Sequence, residues 1–104
     1  MRDEFRSMKC AEYLRAVADP DRLKIIQCLQ SGPKSVGEIC RELNAVIANV
    51  SHHLKLLKAA GLVCNRKAGR FVIYSLDSRF VRQTSRSKLN ILDFGCCRLE
   101  LGEE

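Results

Sequence analysis

Between Leu43 and Leu76 the chain has no Asp or Glu at all, while Lys55, Lys58, Arg66, Lys67 and Arg70 all fall in that stretch. A surface built from it carries one sign of charge, which is what a polyphosphate partner requires. Other absences narrow the class. No apolar run is long enough to span a bilayer, and the opening Met1-Arg-Asp-Glu-Phe-Arg lacks the apolar centre of a signal peptide. A cytoplasmic protein with no membrane partner is expected. There is no Cys-x-x-Cys, no glycine loop to cradle phosphate and no acid–base pair in a plausible pocket, so an enzyme is not expected. Cys40, His52, His53 and Cys64 lack the close cysteine pair of a zinc-finger site. Internal repeats and low-complexity tracts are missing too.

What is present fits one small domain over residues 1–104, with 46% hydrophobic residues and a formal charge of +6. A core of that size is thin, so a dimer partner would help it. The positive balance favours nucleic acid over a membrane surface, because no strongly apolar amphipathic stretch with a cationic rim occurs. Six cysteines in a cytoplasmic protein are expected to stay reduced.

The periodicity predicts a mainly α chain with a small β-hairpin. A first helix is read over Arg2 to Val17, with Phe5, Met8, Tyr13, Leu14 and Val17 on its apolar side. Asp19-Pro20 can cap and open a second helix to about Gln30, with Leu23, Ile26 and Leu29 inward. Ser35 and Glu38 have the spacing of a capping box at the head of a third helix, ending near Leu43. A fourth is read from Ala48 to Gly61, with Val50, Leu54 and Leu57 behind and Ala48, Ser51, His52, Lys55 and Ala59 in front. Two short helices joined by a tight turn make a helix-turn-helix, whose second helix enters the major groove.

After Gly61 the pattern becomes extended. Leu62 to Arg66 and Phe71 to Leu76 read as strands around a turn at Lys67-Ala-Gly-Arg70, which completes a winged helix. Residues 78–104 read as a dimerisation or sensing segment. A helix from Ser78 to Ser87, continued to Phe94, and an extended end in which Cys97, Leu99 and Leu101 alternate with polar residues both remain open.

Four segments then meet a known pattern: Ala18-Asp-Pro-Asp-Arg-Leu-Lys-Ile-Ile, Ser35-Val-Gly-Glu-Ile, Val50-Ser-His-His-Leu-Lys-Leu-Leu-Lys-Ala-Ala-Gly-Leu-Val and Gly69-Arg-Phe-Val-Ile-Tyr-Ser-Leu. In order and spacing, over roughly residues 8 to 77, they resemble the ArsR/SmtB family of bacterial repressors. The resemblance implies a homodimeric winged-helix repressor on a twofold operator, paired through its first and last helices, with an inducer lowering DNA affinity.

On this reading Asn49, Ser51, His52 and Lys55 contact base edges, and Lys58, Arg66, Lys67 and Arg70 contact phosphates. His53 lies toward the apolar side and is assigned to structure or a backbone contact. No cofactor is needed for DNA binding. The family's Cys-x-Cys metal site at the third helix is missing, since Ser35 and Gly37 occupy the matching positions. Its zinc site on the last helix is doubtful here, because both histidines lie in the reading helix. That leaves Cys96 and Cys97, adjacent thiols suited to a soft inducer such as arsenic(III), with Cys10 as candidate third sulfur. A redox or persulfide-derived bridge is the alternative, with Cys10 or Cys28 as partner. A winged helix that answers to no small molecule also remains open.

Overall fold

The computed structural model describes residues 2–80 and 91–100, with side chains from residue 7 onward. Four helices come first: α1 (Arg2–Val17), α2 (Pro20–Leu29), α3 (Val36–Leu43) and α4 (Ile47–Ala59). A short strand, β1 (Lys34–Ser35), precedes α3, and β2 (Val63–Ala68) and β3 (Phe71–Leu76) follow α4. The three strands form one antiparallel sheet in the order β1-β3-β2. A 3-10 turn at Ser78–Phe80 and a hairpin of β4 (Ile91–Asp93) and β5 (Arg98–Glu100) complete the described chain.

Local chemistry sets the helix ends. The Asp19 carboxylate accepts from the Arg22 amide and Pro20 opens α2. Ser35 and Glu38 form the expected capping box, each side chain accepting from the other's backbone N–H. α3 ends on Asn44 in the left-handed region (φ 52°), a conformation that Asn tolerates better than most residues. The chain thereby reverses within three residues into α4 and closes the helix-turn-helix.

Val50, Leu54 and Leu57 on the back of α4 are fully buried, against Ile25, Ile39 and Leu62. Ile26 and Leu29 of α2 are buried as their spacing predicts, and Ile25 and Cys28 join them. On α1 only part of the predicted apolar side is used: Tyr13 and Val17 are buried, while Met8 (65%) and Leu14 (38%) face outward.

Three local readings need correction. Lys67 and Ala68 belong to β2 rather than to the turn, because pairing continues to Ala68 opposite Phe71. Only Gly69 and Arg70 remain in the loop, and Gly69 (φ +65°) takes the positive-φ position that a two-residue hairpin requires. β1 went unread, since two residues carry no period. Near the C-terminus Ile91–Asp93 is a strand paired to Arg98–Glu100, so a helix does not continue to Phe94. Most of the helix read over Ser78 to Ser87 lies outside the described residues.

Candidate nucleic-acid interface and thiol cluster

Burial of the Val50, Leu54 and Leu57 face turns the opposite face of α4 outward. Asn49, His52, Lys55 and Lys58 are exposed, and Ser51 is half-buried beside them. Arg66, Lys67 and Arg70 are exposed on the wing. Arg66 and Lys67 are consecutive on β2, opposite Ile73 and Val72, so they project to opposite faces of the hairpin. Arg70 lies at the tip, its guanidinium 5.8 Å from the centre of the Phe71 ring. The structure thus places all eight predicted contact residues at the surface of α4 and the wing, with one wing cation on each face.

Behind this surface is a network that the sequence did not reveal. His53 is 9% exposed. Its Nδ1 lies 3.3 Å from Arg22 Nη1, and its Nε2 lies 3.6 Å from Asp21 and 3.9 Å from Asp19. A guanidinium can only donate, so Nδ1 is the acceptor in this contact, and Nε2 faces the carboxylates. Arg22 is itself held by Nε donation to the Ala16 carbonyl at 2.6 Å. Asp21 also reaches the interface, accepting from Asn49 Nδ2 at 3.4 Å. The Arg22 amide and charge hold the Asp19 carboxyl below its ordinary range. These groups meet across 31 residues of chain, a separation that no periodicity encodes.

The second cluster joins the two ends of the chain. Cys10 on α1 and Cys96 in the β4–β5 turn form a disulfide across 86 residues, where reduced thiols were expected. The Cys97 sulfur lies 4.0 Å from that of Cys96. All three sulfurs fall within 4.8 Å of one another. Around them Tyr13 stacks on Phe94 at 5.5 Å and meets Phe80 edge-on at 5.4 Å. Gln30 donates to the Ile91 carbonyl at 2.9 Å and ties the hairpin to α2. Three soft donors from two elements suit a thiophilic ion once Cys10 and Cys96 are reduced. Cys28, Cys40 and Cys64 lie outside this cluster. Among the described residues no helix is long and apolar enough to cross a membrane.

The chain is similar to known bacterial regulatory proteins in sequence and fold. Residues 19–64 match the family described as "Bacterial regulatory protein, arsR family". The transcriptional repressor SdpR of Bacillus subtilis is 32% identical over 81 residues, 78% of this chain and 90% of its own. Reduced HlyU from Vibrio cholerae superposes with a TM-score of 0.72 at 36% identity, covering 78% of this chain and 85% of that one. The homodimeric winged helix-turn-helix DNA-binding domain of Mb0332 from Mycobacterium bovis gives 0.69 at 28% identity, covering 77% and 74%.

Proposed function

The chain belongs to the arsR family of bacterial regulatory proteins, and from that premise we propose a homodimeric repressor that thiol chemistry releases from operator DNA. Asn49, Ser51, His52 and Lys55 read bases in the major groove. Lys58, Arg66, Lys67 and Arg70 hold phosphates. The exposed Met8 and Leu14 on α1 favour pairing with a second copy, as do the homodimeric Mb0332 domain and the thin core.

The observation that carries the sensing reading is the convergence of Cys10, Cys96 and Cys97. With Cys10 and Cys96 reduced, three thiolates offer a soft site for arsenic(III) or another thiophilic ion. Binding there would lock the C-terminal hairpin onto α1. A second reading rests on the Cys10–Cys96 bridge itself. Two thiols give up two electrons and two protons to an oxidant such as peroxide, which leaves as two waters, and the disulfide becomes the switch.

One titration tests both. Full-length protein on its operator is challenged with arsenite, antimonite, cadmium, zinc, peroxide and persulfide, and loss of the complex is followed by anisotropy. Arsenite release in the reduced wild type, lost in Cys97→Ser, supports the ion site. Peroxide release that survives Cys97→Ser but fails in Cys10→Ser supports the disulfide. Release that persists with Cys96 and Cys97 both changed to Ser overturns the thiol sensor.

A further inference from the structure

The tip of α4 exposes three apolar residues in a row, Val46, Ile47 and Ala48. Val46 is 70% and Ile47 61% exposed, and neither joins the hydrophobic core. Their position is costly. Val46 occupies the N-cap of α4, a place for Ser, Thr, Asp or Asn, and makes no side-chain capping bond. The same chain caps α2 with Asp19 and α3 with Ser35. Among the three helices whose N-caps are described, the reading helix alone gives up a polar cap for a bare β-branched side chain, a local departure of the kind expected where function overrides stability.

A reading helix meets base edges with its N-terminal residues. In the major groove the one apolar group on a base edge is the C5-methyl of thymine. We propose that Val46, Ile47 and Ala48 determine operator choice by packing on thymine methyls, beside the polar reading by Asn49, Ser51, His52 and Lys55. This rests on the DNA-reading role proposed for α4. Charge favours DNA over a protein partner. No acidic residue lies between Leu43 and Leu76, and the Asp21 carboxylate that reaches Asn49 is engaged by Asn49 and His53.

The test begins with selection of preferred duplexes from a random pool by the full chain. Each thymine of the selected site is then replaced by deoxyuridine, which removes only the methyl. The expected result is an affinity loss of about fourfold at each contacted thymine, the effect of one buried methyl. Val46→Ser and Ile47→Ser should lose affinity for the thymine site and become indifferent to the replacement. Val46→Ser also restores a capping hydroxyl, so its thermal midpoint should hold or rise while its base preference falls. A purely structural Val46 would not separate the two readouts. A selected site that tolerates deoxyuridine everywhere overturns the proposal and leaves the DNA-reading role intact. Failure to select any duplex sinks that role and this inference with it. A change of oligomeric state in the Ser variants would assign the tip to contact between copies instead.

Discussion

Arg79 Nη2 donates to the Gly61 carbonyl at 3.1 Å, just past the end of the reading helix. The same guanidinium donates through Nη1 to the Tyr13 hydroxyl at 3.5 Å and through Nε to Asp77 at 2.9 Å. Tyr13 lies one turn beyond Cys10 on α1, and its ring stacks on Phe94, two residues before Cys96. One side chain therefore touches both the surroundings of the thiol cluster and the base of α4.

Arg79→Ala should uncouple the two sites more than it unfolds the protein. The Arg79–Asp77 pair is exposed and contributes little stability. Inducer-dependent loss of operator affinity should shrink by about fivefold, the effect of a residue that carries coupling between sites. Operator affinity measured with and without arsenite or peroxide checks this. An unchanged ratio would mean that the signal reaches α4 by another route.

His53→Ala should destabilise the fold by about 2 kcal/mol, because it opens a space behind α4 and removes the acceptor facing Arg22. The midpoint of urea unfolding should fall while the slope stays constant. His53→Gln, which can still accept from Arg22, should recover part of the loss. Equal loss in both variants would show that packing, not the hydrogen bond, is what His53 supplies.

These contacts separate what the sequence discloses from what it conceals. The Ser35–Glu38 box and the Val50, Leu54, Leu57 stripe were legible because their partners lie within two helical turns. The exposed α4 face followed from that stripe. Arg22, Asp21 and His53 were not legible as a unit, because only the packing of α2 on α4 joins them. The C-terminal hairpin was half legible. Alternation at Cys97 and Leu99 marked an extended end, but three-residue strands around Gly95 are too short to outweigh a helical pattern. The α4 tip escaped for another reason. Val46 and Ile47 precede the polar front that opens at Ala48 and lie outside the periodic stripe of Val50, Leu54 and Leu57, so nothing in the pattern separates this apolar pair from a turn.

Three carboxyls set an acid limb. The Ser35 amide and hydroxyl hold Glu38 low, the Arg79 guanidinium and amide hold Asp77 low, and the Arg22 amide holds Asp19 low. A folded-state value below the unfolded one stabilises the protein at higher pH. That stabilisation is lost as the pH falls through the lowered values. The stability these three carboxyls supply should therefore be level above pH 4.5, the ordinary Glu value, and decline below it. Ser35→Ala should cost about 1 kcal/mol at neutral pH through the lost cap, while Glu38→Gln, which removes the titrating carboxyl, should flatten the Glu38 share of the decline. Urea midpoints from pH 3 to 7 test this, and a Glu38→Gln curve parallel to wild type would refute it.

Thiol reactivity should rank by burial and bonding. Burial, aided by the Glu42 carboxylate, pushes the Cys28 thiol up to about 12, so almost none of it is thiolate at neutral pH. Cys64 is exposed, its sulfur 3.4 Å from the Ser75 hydroxyl. Native protein treated with iodoacetamide should be modified first at Cys64. Cys28 should react only on unfolding, and Cys10 and Cys96 only after reduction. Peptide mass spectrometry reads the order. Cys28 reacting as fast as Cys64 would reveal local opening of α2.

Lys55 and Arg70 are both exposed cations, yet they should fail differently when removed. Lys55 stands on the polar front of α4 beside Ser51 and His52, where its ammonium can donate to guanine acceptors. Arg70 stands at the wing tip beside Phe71, the position for which a sugar-phosphate contact is proposed. Lys55→Ala should cost about 1–3 kcal/mol on the operator, less on random duplex, and relax preference at one base pair. Arg70→Ala should weaken both duplexes alike and lower the slope of log affinity against log salt by about 1. Titrations of both variants on operator and random DNA, at several salt concentrations, decide the assignment. Equal losses on the two duplexes for Lys55→Ala would move it from base reading to phosphate contact, and selective loss for Arg70→Ala would move the wing into the minor groove.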